Sequence, residues 1–279
     1  MVWIRMLYRH LIVPFDGTPA ALAVVRVAAD LAEHLHAHLE VLTSGDLPHE
    51  ESLRALKRRA VALSEADVEV WIDAQRSPAG AVVAALAHRP GALVCMATHA
   101  RAGPARLVAG SVAERVLRAV DVPVLLFGPR WEAGASGRFT VDEVVVCVDG
   151  DDLADEVVAL AVAWAHAFEA PCRFLHVGDD RATLDRLPEL AASVPPGVRA
   201  SEVIVVPGDD PVAGIVELLE TRRGALAVLG THPRTGLDRL RTAGTAMGVV
   251  ARSSSRRWSH RREGRPRRRA PETEGLSCR

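Results

Sequence analysis

Val13-Pro14-Phe15-Asp16-Gly17 and Val146-Cys147-Val148-Asp149-Gly150 are two versions of one pattern, an apolar run that ends in an Asp-Gly turn, 133 positions apart. Thr98-His99-Ala100-Arg101 and Thr231-His232-Pro233-Arg234 recur at the same spacing, as do Gly103 and Gly236. Gly110-Ser111 returns as Gly244-Thr245 one position later, so the second copy carries one extra residue in that loop. Matches in one register across the chain mean two copies of one domain, 1–130 and 140–252, joined near 131–137. A period this long marks duplicated domains, not a solenoid of short repeats.

Within each copy, strand-like and helix-like segments alternate. In the first, strands are expected at His10–Val13, Leu39–Thr43, Val68–Asp73, Ala92–Ala97 and Val122–Phe127. Helices are expected at Ala20–Leu35, Glu50–Glu65, from Ser77 to about His88, and at Ser111–Ala119. Leu22, Val25, Ala29 and Ala32 recur at helical spacing, and Thr18-Pro19 supplies a cap and a first-turn proline. In the second copy, strands are expected at Glu143–Val148, Cys172–Val177, Ser201–Val206 and Leu226–Leu229. Its helices are expected at Leu153–Phe168, Thr183–Ser193, Asp210–Arg222 and, as a short piece, Ala246–Ala251. Strands apolar throughout and separated by helices form a parallel sheet covered on both faces. Right-handed crossovers make each copy a doubly wound α/β domain.

The second copy lacks a recognisable fifth strand. Where the first has Val122-Pro123-Val124-Leu125-Leu126-Phe127, the second has Ser255-Arg256-Arg257-Trp258-Ser259-His260. Residues 253–279 carry nine Arg and three Glu and almost nothing apolar. They read as a disordered, solvated tail, as a basic arm for an acidic partner, or as a segment out of frame with an ancestral strand.

Composition narrows the function classes. Net charge is −1, so no global field draws the 279-residue chain to nucleic acid or membrane. The one lysine, Lys57, follows no Gly-rich loop, which excludes a P-loop nucleotidase. Four separate cysteines, without a C-x-x-C pair, offer neither a zinc ribbon nor a disulfide framework and fit a reducing cytoplasm. The first 17 residues do not read as a signal peptide, and no apolar stretch approaches the length of a membrane span. His34, His36 and His38 have alternating spacing, but they sit where a helix ends and a strand begins. No metal site is expected there.

Ligands of an open doubly wound sheet bind beyond the carboxyl ends of the strands, where strand order reverses. If the first and fourth strands flank that point, Asp16-Gly17-Thr18 and the loop from Thr98 to Ser111 face each other. Asp16 accepts hydrogen bonds, as a ribose or an exocyclic amine requires. Gly110-Ser111 opens a helix, whose free N–H groups and dipole suit phosphate. A turn role for Asp16-Gly17 and a capping box, Ser111-Val112-Ala113-Glu114, account for the same residues without a ligand.

Met96-Ala97-Thr98-His99-Ala100, nine residues, Gly110-Ser111-Val112-Ala113-Glu114-Arg115-Val116-Leu117 and then Val122-Pro123-Val124-Leu125-Leu126 resemble the universal stress protein family. The resemblance covers about 250 residues, in both halves. It implies two tandem doubly wound parallel-sheet domains of strand order 3-2-1-4-5, the second without its fifth strand. In the ATP-binding branch of the family the motif is G-x-x-G, nine residues, G-[S/T]. Carried over by position, the resemblance implies an adenine nucleotide, ATP, at Asp16, Ala97, Ala100, Gly110, Ser111 and Val112. In the second half it implies Asp149, Val177, Gly230, Gly244 and Thr245. Ala97 and Ala100 replace the first two motif glycines, and Pro233 replaces the second in the other half. A Cβ at such a place crowds the backbone's approach to phosphate. Family members pair fifth strands, so Val122–Phe127 is an expected homodimer edge. The reading is a cytoplasmic, non-catalytic stress-response protein. The alternatives are an interaction module of the same fold that takes no nucleotide, or a slow ATPase, for which no general base or Mg²⁺-holding carboxylate pair is visible.

Overall fold

The computed structural model describes residues 8–44, 68–98, 111–128, 139–149, 154–199, 202–222, 224–230 and 238–253, with positions 58 and 131. The expected helix at Glu50–Glu65 and the tail beyond 253 lie outside them. The first half runs β1 (His10–Pro14), α1 (Pro19–Leu35), β2 (His38–Ser44), β3 (Val68–Asp73), α2 (Pro78–Leu86), β4 (Ala92–Ala97), α3 (Ser111–Ala119) and β5 (Val124–Phe127). The second runs β6 (Glu143–Cys147), α4 (Ala154–Ala167), β7 (Cys172–Val177), α5 (Arg181–Ala192), β8 (Glu202–Val206), α6 (Pro211–Thr221), β9 (Ala225–Leu229) and α7 (Asp238–Arg252).

Both sheets are parallel. The first has order β3-β2-β1-β4-β5, and the second has β8-β7-β6-β9. These are the expected 3-2-1-4-5 order and the same order without its last strand. Leu11, Val13, Leu93 and Cys95 are buried on one face of the sheet and Ile12, Val94 and Met96 on the other, as a sheet covered on both faces requires.

The repeat is written into the backbone. His36 and Glu169, 133 apart, both close a first helix in the left-handed region, at φ 54° and 51°. Gly91 and Gly224 repeat a positive φ before the fourth strand, at 72° and 74°. Ser77 and Asp210 cap equivalent helices ahead of Pro78 and Pro211, accepting from the N–H of Gly80 and Ala213.

A buried carboxylate also recurs, with its polarity exchanged. Glu40 on β2 accepts from Arg89 and lies 2.9 Å from His10 on β1. In the second half the acid has moved to β6. Glu143 accepts from Arg173 of β7 at 2.7 Å and from Arg222 at 3.1 Å. His10/Glu143, Glu40/Arg173 and Arg89/Arg222 are equivalent pairs. Each half keeps one buried acid between two basic side chains, since a lone buried charge would be costly.

The halves meet through their first helices. Trp164 of α4 is 3% exposed and stacks on Phe168, with ring centroids 5.7 Å apart. Its indole N–H donates to the Tyr8 hydroxyl at 3.3 Å. Burial pushes the Tyr8 phenol well above its ordinary value, so the hydroxyl stays neutral at this contact. Phe139, from the segment between the halves, packs edge-on against Phe127, Trp164 and Phe168, and its N–H donates to Asp30 of α1 at 2.6 Å. His34 stacks on Phe168 and bonds the Ala167 carbonyl at 3.1 Å. His34 and Ala167 are equivalent residues, and contact between equivalents marks an approximate two-fold relation. His34 is therefore a contact between halves, while His36 caps α1.

Three expectations are corrected. The fifth strand of the first half begins at Val124, not Val122, because Pro123 lacks an N–H and only its carbonyl, accepting from Val94, joins the ladder. Helix α5 begins at Arg181, capped by Asp180, and tolerates Pro188 inside it. Helix α7 runs from Asp238 to Arg252, far longer than Ala246–Ala251.

Replacing Trp164 with alanine should cost roughly 3–5 kcal/mol, the range for emptying a buried aromatic site. Because that site joins the halves, urea unfolding is expected to change from one transition to two. A single transition with unchanged midpoint would show that the halves fold independently of this contact.

Candidate functional site

In both sheets the strand order reverses at the first strand, between β1 and β4 and between β6 and β9. The carboxyl ends of these pairs define two crevices. Phe15 N–H donates to Leu42 O at 2.8 Å, and its equivalent Val148 donates to Leu175 O at 2.8 Å. The next residue in each case, Asp16 and Asp149, emerges exposed at the crevice.

Asp16 is organised locally. Its Oδ1 accepts from the Thr18 N–H at 3.1 Å and the Thr18 hydroxyl at 2.7 Å. Thr18 Oγ1 in turn accepts from the Ala21 N–H and caps α1. Gly17 sits at φ 84°, where a side chain would be strained, so the Asp-Gly pair is required by the turn itself. The turn role and a ligand role are compatible, since only Oδ1 is engaged among the described residues.

Across this crevice, Ala97 ends β4, pairing with Phe127 of β5. Thr98 is buried, and both its N–H and its hydroxyl bond the Phe127 carbonyl, at 2.8 and 3.2 Å. Ser111 is the first residue of α3, and half-buried Val112 packs into the core beside β4. Glu114 pairs with Arg118 one turn on. Ala100 and Gly110 lie outside the described residues.

The second crevice differs in chemistry. Val177 ends β7 and is held by α6, where a Cβ on Gly214 would lie 2.7 and 2.9 Å from its two methyls. Gly230 follows β9. Gly244 and Thr245 do not open a helix, as the sequence led us to expect. They lie inside α7, so their N–H groups belong to its interior and not to a free N-terminus.

Sequence reasoning missed His176. It is 4% exposed on β7, and its Nδ1 bonds the Val148 carbonyl at 2.8 Å. A carbonyl partner means that Nδ1 carries a proton, and Nε2 is buried with no hydrogen-bond partner among the described residues. Both the N–H and the carbonyl of Val148 are thus held by β7, which fixes where Asp149 leaves the strand. Gly178 lies over the ring at φ 135°, and a Cβ there would be 3.3 Å from Nε2. Asp180 beyond it caps α5, and the Thr183 hydroxyl holds its carboxyl below the usual range, aided by the Thr183 N–H. The equivalent of His176 is Thr43, also buried, so the signal was one polar residue recurring inside an apolar strand.

Burial keeps the described cysteines, Cys95, Cys147 and Cys172, as thiols. Burial raises the Cys95 thiol, lifts Cys147 to about 12, helped by the Asp149 charge, and lifts Cys172 to about 11. Among the described residues no cluster of His, Cys, Asp or Glu has the geometry of a metal site. No helix among them is long and apolar enough to cross a membrane.

Two tandem doubly wound domains, each with an acid at the first strand's end, define a class of duplicated α/β proteins with paired crevices. The model of the universal stress protein family matches residues 7–128 and again 140–255, and the chain belongs to that family. A universal stress protein from Archaeoglobus fulgidus DSM 4304 is similar in fold, with a TM-score of 0.67, 16% identity, and coverage of 88% of this chain and 95% of that one. A putative universal stress protein from Pseudomonas aeruginosa UCBPP-PA14 gives a TM-score of 0.67 at 17% identity, covering 90% and 92%. A functionally unknown protein from Pseudomonas aeruginosa PAO1 gives 0.69 at 17% identity, with the same coverage. No curated protein matches the chain.

Native protein exposed to a thiol reagent at pH 8 should leave Cys95, Cys147 and Cys172 unmodified until denaturant is added, because burial suppresses the reactive thiolate. Rapid modification of Cys147 would mean that the second crevice opens to its floor.

Proposed function

We propose that the chain is a non-catalytic, cytoplasmic stress-response protein that binds an adenine nucleotide, ATP, in the first crevice. The observation that carries this reading is the pairing of two elements at the β1/β4 switch point. One is the exposed Asp16 carboxylate on its fixed turn. The other is helix α3, which starts at Ser111. Asp16 serves the nucleoside, and the N–H groups of Ser111 and Val112 serve phosphate, preceded by Gly110. Ala97 and Ala100, at the motif's first two positions, narrow the approach of the backbone and weaken affinity without removing the helix terminus.

The second crevice, with Asp149, Val177 and Gly230, is assigned a lesser role. Gly244 and Thr245 inside α7 offer no helix terminus to an anion. That observation favours the reading of this half as an interaction module that takes no nucleotide.

Titrating MgATP calorimetrically into the wild type, Asp16→Ala and Asp149→Ala separates the halves. One site per chain is expected in the wild type and in Asp149→Ala, with affinity at least tenfold weaker in Asp16→Ala. Equal affinity in all three, or heat lost only in Asp149→Ala, would overturn the assignment.

A further inference from the structure

The same three residues, Gly-Asp-Asp, follow three strands of the second half: Gly150-Asp151-Asp152 after β6, Gly178-Asp179-Asp180 after β7 and Gly208-Asp209-Asp210 after β8. These strands are neighbours in the order β8-β7-β6, about 4.8 Å apart, so the connections after β7 and β8 leave the carboxyl edge of the sheet side by side. With Asp149, seven aspartates belong to this edge. The equivalent positions of the first half, 133 residues earlier, hold Asp16, Thr18, Pro19, Asp46, Leu47, Arg76 and Ser77. The acid is therefore a property of the second copy and not a requirement of the fold. Asp180 and Asp210 cap helices, accepting from Thr183 and Ala213, and Arg252 lies 3.6 Å from Asp210. Asp149 is engaged as well, and Arg181 is exposed beside Asp180. Asp179 and Asp209 are exposed and make no hydrogen bond or ion pair among the described residues.

His176 lies against Gly178, with Gly208 close by. It is 4% exposed, and its Nε2 is buried with no hydrogen-bond partner among the described residues. The place that a Cβ on Gly178 would take is 3.3 Å from Nε2 and 3.8 Å from the Gly208 carbonyl oxygen. Because Gly178 has no side chain, both atoms border one gap between the two Gly-Asp-Asp connections. With Nδ1 donating to the Val148 carbonyl, the neutral ring presents a lone pair at Nε2. Nε2 and the Gly208 oxygen are both acceptors, and a buried acceptor left unmet is costly.

We propose that this acidic edge binds a linear polyamine, with one primary ammonium group reaching between Gly178 and Gly208 to donate to His176 Nε2. The ligand is a cation because the carboxylates outnumber the basic groups beside them. It is organic because no cluster of His, Cys, Asp or Glu among the described residues has the geometry of a metal site. It ends in a primary ammonium because that group is compact and carries three donors, whereas a guanidinium is a wide planar fork. It carries several such charges because the aspartates are spread over neighbouring strands, and ammonium groups separated by three or four methylenes match that spacing. The Arg-rich residues 254–279 contain no lysine, so they do not supply this group. The assignment does not depend on nucleotide binding in the first crevice.

Calorimetric titration of spermidine into the full chain, without nucleotide, is expected to show one site. Asp179→Asn combined with Asp209→Asn should weaken it at least tenfold. Glu189→Gln combined with Glu217→Gln, at exposed acids further along α5 and α6, removes the same charge and should leave the affinity unchanged. In histidine-labelled protein the Nε2 nitrogen signal of His176 should shift on binding. No binding, an equal loss in the two pairs, or an unmoved Nε2 signal would overturn the proposal. Displacement of spermidine by an equal concentration of Ca²⁺ would overturn it in favour of a metal site. Binding at least tenfold tighter after deletion of residues 254–279 would overturn it in favour of the chain's own arginines as the occupant.

Discussion

The aromatic seam between the halves, where Trp164 of α4 meets Tyr8, Phe139 and Phe168, is the constraint on which the rest of the molecule depends. Trp164, Phe168, Tyr8 and Phe139 bury one apolar surface that belongs to neither half alone. Once equivalent helices meet about an approximate two-fold, the rest of each copy is placed by its own topology. The last helices, α3 and α7, come together on the other side. The far edge of each sheet is then brought to the same seam. In the first half that edge is completed by β5, and in the second the last described strand is β9.

Duplication fixes the scaffold and leaves the crevices free to diverge. Both halves place an aspartate one residue beyond a conserved type of ladder contact, Phe15 to Leu42 and Val148 to Leu175. What surrounds each aspartate differs. In the first half, Asp16 is bound into the turn that caps α1, and a helix begins at Ser111. In the second, His176 secures the strand end from below, while α7 extends back past Gly244 and Thr245. Helix α3 begins at Ser111 beside the first crevice, whereas Gly244 and Thr245 lie inside α7 beside the second.

Strand positions were legible because burial on both faces leaves unbroken apolar runs. Val68–Asp73, Ala92–Ala97 and Cys172–Val177 agree residue for residue. The repeat itself was legible from its turns, and its offset recurs in the left-handed caps His36 and Glu169. The start of α7 was not, because Gly244 and Thr245 look like a helix opening by analogy with Gly110-Ser111. Local propensity there is decided by packing against α3 and α6. The buried acids were hidden too. Glu40 lies inside an apolar strand and Glu143 opens one, and each has a basic residue as its equivalent in the other copy, which masks the shared arrangement. The role of His176 arises from Val148, distant in sequence, so no local pattern announces it.

The central proposal is that the first copy carries the nucleotide crevice and the second does not. Hydrogen–deuterium exchange of the intact chain with and without MgATP tests it most directly. The account predicts slowed exchange at residues 13–18 and 111–116, with no change at 146–149 or 238–246. Protection confined to the second half, or none in either at saturating nucleotide, would contradict it.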